Sequence, residues 1–348
     1  MSSTFGENLK LTVFGESHSE AIGMTLEGVP AGETIDEIEL REFMERRAPG
    51  RDKLSTARRE PDVPEFLSGL FECVTTGTPI TAIIKNTDTR SGDYDDIKDA
   101  PRPGHADFTA HVKYNGYEDY RGGGHFSGRL TAPICIAGGI VKQILKRKGV
   151  SVKAAATEIA GVEFGTFAEN GFEIKIDEAE KEKALAKIEE AKADGDSVGG
   201  IISCTVTGLA PGIGAPMFGG VENVIAQGIF GIPAVKGVEF GEGFRAARLR
   251  GSENNDPYIV GENGDIKPAS NHHGGALGGI TSGMPVTFRV AMKPTPSIAK
   301  AQDTVKYETK EKIEMRVKGR HDPCVALRAV PVVEAVAALA VYDMMLGR

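Results

Sequence analysis

Three consecutive glycines, Gly122, Gly123 and Gly124, place the strongest local constraint on how this chain folds. Glycine loses more backbone freedom on folding than any other residue, so a run of three indicates a sharp turn or a close approach to a ligand. The segment around them, residues 102–129, also carries three histidines and four arginines or lysines. We therefore expect this segment to form a loop that binds an anionic ligand.

Helical and strand-like patterns interleave irregularly along the 348 residues. In the first part of the chain, apolar spacing predicts short strands ending in loops in 9–19 and 24–32, a helix over 35–47, and paired strands in 66–86. In the middle it predicts a buried helix over 131–148, a strand in 151–165 and a surface helix over 177–193. In the last part it predicts a strand in 200–212, a helix and strand within 221–244, and a C-terminal helix over 332–346. Regular βαβ units and a dinucleotide-binding glycine fingerprint are absent from the sequence, which favours the α+β class. The similar stretches LEGVPAG (26–32) and VTGLAPG (206–212) hint at an internal duplication.

The overall charge and the apolar runs exclude several classes of protein. A net charge of −8 argues against general nucleic-acid binding, which depends on neutralising phosphates. The longest apolar runs are interrupted by Lys142 and Gln143 or by Glu334 and Asp343, so we expect no membrane span. The four cysteines lack zinc-site spacing and a disulfide framework, and the N-terminus lacks a secretory signal. We therefore expect a cytoplasmic protein without a metal site.

One segment of this acidic chain is locally basic. Residues 41–59 contain seven cations and three anions. Guanidinium groups bind phosphate and carboxylate through paired hydrogen bonds, so loop arginines suit a substrate with several anionic groups. The candidates are Arg47, Arg102, Arg129 and Arg320. The alternative is that the arginines at 46, 47, 58 and 59 form exposed ion pairs with nearby glutamates.

Four polar clusters flanked by glycine or proline carry the reactive side chains. They are GESH (15–18), RPGHAD (102–107), NHHGGALGGITSG (271–283) together with MKPTPS (292–297), and GRHDPC (319–324). His18 and His105 can each exchange a proton near neutral pH, and a hydrogen-bonded loop histidine is the alternative for either. Asp322 can act as a base or hold an arginine. Lys293 and the hydroxyls after it can bind a cofactor phosphate or ring carbonyl, or can form an ordinary turn.

A dozen motifs, taken in order, resemble the chorismate synthase family. They are FGESH, GVPAG, RRAPG, RREPD, FECVTTGT, NTD, RPGHAD, YRGGG, AVKGVEFG, LGGITSG, KPTPSI and GRHDPC, and they run from about residue 6 to the final helix. The resemblance implies one domain with a β-α-β sandwich, in which helices are layered between antiparallel sheets. It also implies a cytoplasmic homotetramer.

The resemblance further implies the reaction. The family converts 5-enolpyruvylshikimate 3-phosphate to chorismate by an anti-1,4 elimination of phosphate and the C6 pro-R hydrogen, the last step of the shikimate pathway to aromatic amino acids. It uses reduced FMN without net redox change, with NADPH or an external flavin reductase as the source of electrons. A flavin-dependent reductase and a non-catalytic anion-binding protein are the alternative hypotheses for this chain.

Residue roles also come from the resemblance, position by position. His18 matches a histidine that protonates the departing phosphate, and His105 one that protonates reduced FMN. Ser17 and Asp322 match residues that relay protons near the flavin N5. Positions expected to contact substrate or NADPH are Arg47, Lys53, Arg102 and Arg129, and those expected to contact flavin are His125, Phe126, Ser127, Ala234, Gly278, Lys293, Pro294, Thr295, Pro296, Ser297 and Arg320.

This chain departs from the common family pattern at a few of these positions. His125 and Phe126 stand where many members have arginine and serine, which removes a fixed cation from the expected flavin site. Lys53 stands where some members have arginine, and Ser19 follows GESH where many have glycine.

Overall fold

The computed structural model describes residues 3–50, 61–87, 98–262, 264–317 and 321–347. Its helices are α1 (Glu37–Arg47), α2 (Asp107–Tyr114), α3 (Thr131–Arg147), α4 (Glu178–Ala193), α5 (Val221–Phe230), α6 (Gly251–Asn254) and α7 (Ala326–Leu346). Short 3-10 helices cover Arg121–Phe126, Gly128–Leu130, Glu169–Gly171, Met217–Gly219 and Gly243–Arg248.

Two five-stranded antiparallel sheets form the body of the protein. The first has the order β1-β2-β3-β7-β4 and the second the order β13-β18-β12-β8-β9. The strands of the first sheet are β1 (Thr4–Phe5), β2 (Lys10–Gly15), β3 (Ala21–Glu27), β4 (Glu65–Ser68) and β7 (Ile80–Lys85). Those of the second are β8 (Ser151–Ile159), β9 (Val162–Glu163), β12 (Gly200–Thr207), β13 (Val235–Phe240) and β18 (Val286–Met292).

The remaining strands pair into five small antiparallel ladders. They are β5 (Leu70–Phe71) with β6 (Val74–Thr75), β10 (Gly165–Phe167) with β11 (Ile174–Ile176), β14 (Tyr258–Val260) with β15 (Ile266–Pro268), β16 (Ala276–Leu277) with β17 (Ile280–Thr281), and β19 (Gln302–Val305) with β20 (Lys312–Met315).

Helices α3 and α7 lie between the two sheets. α3 packs on β2, β3 and β7, whereas α7 packs on β8 and β12, and the two helices pack on each other. Their backbones approach closely at Gly138, where an added Cβ would lie 2.2 Å from the Cβ of Ala335. The predicted α+β class, with helices layered between antiparallel sheets, is therefore confirmed.

Local signals set most helix ends where the sequence predicts them. Asp36 caps α1 by accepting from the amides of Ile38 and Glu39, and Asp177 caps α4 in the same way. α7 differs, because it begins at Ala326, six residues before the predicted start, and continues through Pro331. Proline removes one backbone hydrogen bond and normally ends a helix, but here the apolar residues on both sides of it are buried and hold the helix together.

Helix α7 is also long and apolar enough to cross a membrane by length and composition alone. However, 83% of its most apolar window is buried inside the protein. It also carries the buried carboxylates of Glu334 and Asp343, both of which accept hydrogen bonds. These properties are those of a core helix.

The two similar stretches of sequence form loops held by the same hydrogen bonds. The hydroxyl of Thr75 donates to the carbonyl of Pro30, at 2.6 Å, and accepts from the amide of Glu33. The hydroxyl of Thr281 donates to the carbonyl of Ala210, at 2.7 Å, and accepts from the amide three residues further along. Each loop follows a central strand of its own sheet. The interpretation of this correspondence as an internal duplication stays a prediction.

Candidate active site

A cavity of about 740 Å³ lies between loops of the two sheet-containing halves. The first half contributes the turn after β2, the end of α1 and the glycine-rich loop, and the second contributes the segments after α5 and β18 and the start of α7. The candidate residues that line it are Ser17, His18, Arg47, Arg102, His105, His125, Phe126, Ser127, Arg129, Ala234, Lys293, Thr295, Pro296, Ser297 and Asp322. The structure therefore brings together side chains that the sequence places more than 300 residues apart.

Two candidate residues that the structure describes, Gly278 and Pro294, are not part of this lining. Gly278 lies on the turn between β16 and β17, and the next residue bonds the first residue of α5. The cavity contacts the other end of α5, and ten helical residues span ~15 Å. Pro294 lies between two lining residues but does not itself line the cavity, and Lys53 and Arg320 fall outside the described residues.

The three glycines pass between the two candidate histidines. All three have positive φ, at 60°, 82° and 53°, a conformation that favours glycine. A Cβ on Gly122 would lie 2.2 Å from Nδ1 of His18, and one on Gly123 would lie 3.0 Å from Cε1 of His105. The amide of Ser17 donates to the carbonyl of Gly124, at 3.1 Å, which ties this loop to the turn after β2. The predicted sharp turn is confirmed, and the backbone at this turn lies close to the two imidazoles. The approach of this loop to an anionic ligand stays a prediction.

Arg102 is buried and is held by a carboxylate at the start of α2. Its Nε and Nη2 donate to the two oxygens of Asp107, at 2.7 and 2.8 Å, and its Nη1 donates to the hydroxyl of Ser297, at 3.0 Å. Nδ1 of His105 lies 2.6 Å from Oδ1 of the same Asp107. Burial, together with the charges of Arg102 and Lys293, lowers the pKa of His105 despite its bond to Asp107.

Arg47 and Arg129 share one buried carboxylate, that of Asp62. An Nη1 atom of each arginine contacts a different oxygen of Asp62, whose side chain is fully buried. Burial alone would raise the pKa of Asp62, but the two guanidinium charges outweigh that effect and hold it below its usual range. The Arg47 Nε also donates to Thr131, at 3.2 Å. The alternative of an exposed pair for Arg47 is therefore wrong, because the side chain is fixed inside the protein.

A further arginine, Arg328 at the start of α7, was not predicted from the sequence. It lines the cavity, contacts Asp322 through Nη1, and donates through Nε to the carbonyl of Arg47, at 3.1 Å. Burial lowers its pKa, although Asp322 acts in the opposite direction, and an arginine stays protonated in either case. Asp322 therefore holds an arginine, as one of its two predicted roles requires.

The cavity as a whole favours anions. The cations that line it are Arg47, Arg102, Arg129, Lys236, Lys293 and Arg328. Asp322 is the only carboxylate among the lining residues that the structure describes, and Asp62 and Asp107 accept from the arginines beside it. The hydroxyls of Ser17 and Thr295 are buried and make no hydrogen bond within the described part of the chain. Such a set of donors suits a ligand rich in phosphate and carboxylate oxygens.

His125, where this chain departs from the family pattern, is bound by the protein at both ring nitrogens. Nδ1 lies 2.8 Å from the carbonyl of Gly15, and Nε2 lies 2.8 Å from the hydroxyl of Ser3. A carbonyl only accepts, so Nδ1 carries hydrogen and Nε2 accepts from Ser3 in the neutral ring. The adjacent Phe126 packs at a tilt against Tyr114, with ring centroids 6.2 Å apart.

Comparisons with known proteins agree with this geometry. The family model described as chorismate synthase matches residues 9–346. A protein named chorismate synthase from Korarchaeum cryptofilum is 48% identical over 347 residues, covering 97% of this chain and 96% of that protein. One of the same name from Pyrococcus abyssi is 47% identical over 350 residues, covering 99% and 97%. A solved structure titled "Crystal Structure of Chorismate Synthase" superposes with a TM-score of 0.75 at 27% identity, covering 98% of this chain and 93% of that one.

Proposed function

Because the chain belongs to the chorismate synthase family, we propose that its cavity is where 5-enolpyruvylshikimate 3-phosphate loses phosphate and its C6 pro-R hydrogen to give chorismate. The chain is thus a carbon–oxygen lyase of the shikimate pathway, which supplies aromatic amino acids. The anti-1,4 elimination leaves the substrate's two carboxylates intact and breaks the bond between carbon and the phosphate oxygen.

The observation that carries this proposal is the set of fixed guanidinium groups. The substrate has a phosphate and two carboxylates, and the cavity presents four arginines whose positions are held by the buried carboxylates of Asp62 and Asp107 and by Asp322. Donors fixed before the reaction stabilise charge that develops on a leaving phosphate without having to reorganise. Binding and assistance to the leaving group therefore come from the same side chains.

Proton handling is assigned to the two histidines beside the glycine run. His18 protonates the departing phosphate. The buried Ser17 hydroxyl next to it, which makes no hydrogen bond within the described residues, relays protons on the side where the flavin N5 would lie. His105 exchanges a proton on the opposite side of the loop. Its lowered pKa favours a neutral ring at working pH, so it can take up a proton and return it.

The lining also fits a flavin, and membership of the family implies a requirement for reduced flavin. Lys293 and the unpartnered Thr295 hydroxyl offer donors for a cofactor phosphate or ring carbonyl, and Phe126 and Ala234 offer apolar surface. When bound, reduced FMN lends electron density to the substrate and returns it, without net redox change. The protein's part is to hold the reactants together and exclude water from them.

Several finer properties belong to the same proposal. FMN is the flavin, and either NADPH or an external flavin reductase keeps it reduced. The protein acts as a cytoplasmic homotetramer. Support for these points comes from family membership.

An anaerobic assay tests the function. Purified protein with dithionite-reduced FMN and 5-enolpyruvylshikimate 3-phosphate is expected to yield chorismate absorbance and an equal amount of phosphate. When NADPH replaces dithionite, stoichiometric consumption of NADPH without phosphate release would instead indicate a flavin-dependent reductase. Substrate binding without any product would indicate an anion-binding protein. NADPH oxidation with FMN alone, measured without oxygen, decides whether the chain reduces its own flavin, and sedimentation measures its oligomeric state.

A further inference from the structure

Asp107 is the point where Arg102 and His105 meet. The residue is 9% exposed and is the first residue of α2. Its Oδ2 atom accepts hydrogen bonds from the backbone amide and the Nε of Arg102, at 3.0 and 2.7 Å. Its Oδ1 atom accepts from Nη2 of Arg102, at 2.8 Å, and lies 2.6 Å from Nδ1 of His105. One side chain therefore fixes both a cation and an imidazole of the cavity.

The geometry also assigns the hydrogen on the His105 ring. The pKa of Asp107 lies well below its usual range, because the bonds from Arg102 and His105 outweigh the effect of burial, so the group is an ionised acceptor. Nη2 of Arg102, which only donates, also lies 3.0 Å from Nδ1 of His105, but Nη2 is nearer to Oδ1 of Asp107, at 2.8 Å, and Nδ1 is nearer still to that oxygen, at 2.6 Å. A carboxylate that only accepts then requires hydrogen on Nδ1 of His105. Nε2 then carries the lone pair of the neutral ring, on the side of Gly123, whose added Cβ would lie 3.1 Å from it.

The groups that act on His105 oppose one another. The bond to Asp107 favours the protonated ring, whereas burial, Arg102 and Lys293 favour the neutral one. A histidine with an ordinary loop environment would titrate near pH ~6.5. Without the Asp107 carboxylate, only the groups that disfavour the protonated ring would remain, and the imidazole of His105 would rarely accept a proton.

We propose that Asp107 is a positioning residue for the elimination, holding His105 as the Nδ1–H tautomer so that Nε2 exchanges a proton within the cavity. This inference rests on the proposed function. When Nε2 takes up a proton the ring becomes an imidazolium stabilised by the Asp107 carboxylate, and the ring returns to its starting form when that proton leaves. The same carboxylate keeps the Arg102 guanidinium aimed at the substrate.

The kinetic test is Asp107→Asn with a matched control. The amide keeps the size of the side chain but removes its charge, so we expect kcat to fall about 100-fold, at the lower end of what general acid–base catalysis contributes. KM should rise less than kcat falls, and the limb of the pH–rate profile that reports His105 should move to lower pH. The control is Asp119→Asn on the same loop, where Arg121 donates to both carboxylate oxygens, at 2.8 and 2.7 Å. It should leave the pH profile unchanged.

A spectroscopic test needs no activity, and its tautomer measurement is made on the wild-type protein. In protein labelled with ¹⁵N-histidine, the wild-type His105 signal should show the Nδ1–H tautomer and, in folded Asp107→Asn, a lower titration midpoint. His105→Gln identifies the signal. An Nε2–H tautomer in the wild type, or an unchanged midpoint in the variant, overturns the inference. Failure of the anaerobic assay would contradict the proposed reaction. The tautomer measurement would still test whether Asp107 holds His105 in the Nδ1–H form.

Discussion

The imidazole of His18 rests directly against the backbone of Gly122. A methyl group added to Gly122 would lie 2.2 Å from Nδ1 of His18 and 2.7 Å from the hydroxyl of Ser17. Both neighbours are buried, so neither can withdraw into solvent. The side chains of His18 and Ser17 can therefore occupy these positions only because residue 122 has no side chain.

Gly122→Ala should abolish most turnover. The new methyl group must displace His18 and Ser17, in addition to the cost of a positive φ in alanine, which is about 1–2 kcal/mol. Gly149→Ala is the control, because Gly149 has a φ of 77° and open space where a Cβ would stand. Thermal unfolding and chorismate formation are measured for both. Equal activity in the two variants would show that the contact with His18 has no catalytic importance.

Asp62→Asn should destabilise the protein and weaken substrate binding. Removing one partner of a buried ion pair typically costs about 3–5 kcal/mol, because an uncompensated charge stays inside the protein. Here Arg47 and Arg129 lose their shared negative charge, and one of the two faces an amide NH2 group in place of an acceptor oxygen. Glu190→Gln breaks an exposed pair with Lys187 and should cost at most ~0.5 kcal/mol. Denaturant unfolding and the KM for substrate measure the two effects, and a loss as small as that of the control would contradict the expectation.

Glu334 should make stability sensitive to acid. Its carboxylate accepts from both terminal nitrogens of Arg46, at 2.9 Å each, contacts Lys142, and accepts from the amide of Ala154. Burial would raise the pKa of Glu334, but the bond from Arg46 and the charge of Lys142 lower it overall.

The lowered pKa of Glu334 determines how stability changes with pH. Glu334 contributes its full stabilisation above the pKa of an unfolded glutamate, about 4.3, and loses it as the pH falls through the lower folded value. Unfolding free energy measured in denaturant should therefore be level from neutral pH to about pH 5 and fall below about pH 4. Glu334→Gln should be less stable at neutral pH and show a shallower acid limb. If the unfolding free energy of Glu334→Gln fell with acid as steeply as that of the wild type, Glu334 would not be a cause of the acid sensitivity.

Gly138→Ala should separate the two central helices. The added Cβ would lie 2.2 Å from the Cβ and 2.4 Å from the Cα of Ala335, which cannot move without the backbone of α7. Overpacking of this kind costs about 1–3 kcal/mol. Gly139→Ala, one residue further along the same helix, meets only the side chains of Leu40 and Phe43, which can shift. Thermal unfolding should rank Gly138→Ala as the less stable, and the reverse order would contradict this view of the helix pair.

The sequence predicts elements whose signals are local. The buried helix predicted over 131–148 is α3 at Thr131–Arg147, and the surface helix predicted over 177–193 is α4 at Glu178–Ala193 after its Asp177 cap. Apolar spacing, a capping carboxylate and a terminating glycine all lie within the element itself. The start of α7 was missed because proline is a local stop signal that the surrounding packing overrides.

The site was predicted by residue type but not by partner. The motif around Arg102 contains Asp107, yet only the fold shows that this carboxylate binds Arg102 and His105 together. Arg129 and Asp62 are 67 residues apart, and Arg328 lies before the start of the C-terminal helix predicted from the sequence. Such pairings depend on the packing of distant segments, and no pattern in one sequence encodes them locally.

The surplus of cations around the cavity has a kinetic consequence. The chain carries a net charge of −8, so its overall charge repels a multiply charged anion, whereas the cations that line the cavity attract it. Focused fields of this kind raise association rates and weaken as ionic strength rises. The same attraction slows the departure of phosphate and of a dicarboxylate product. Added salt should therefore lower the rate of substrate association and raise the rate of product dissociation.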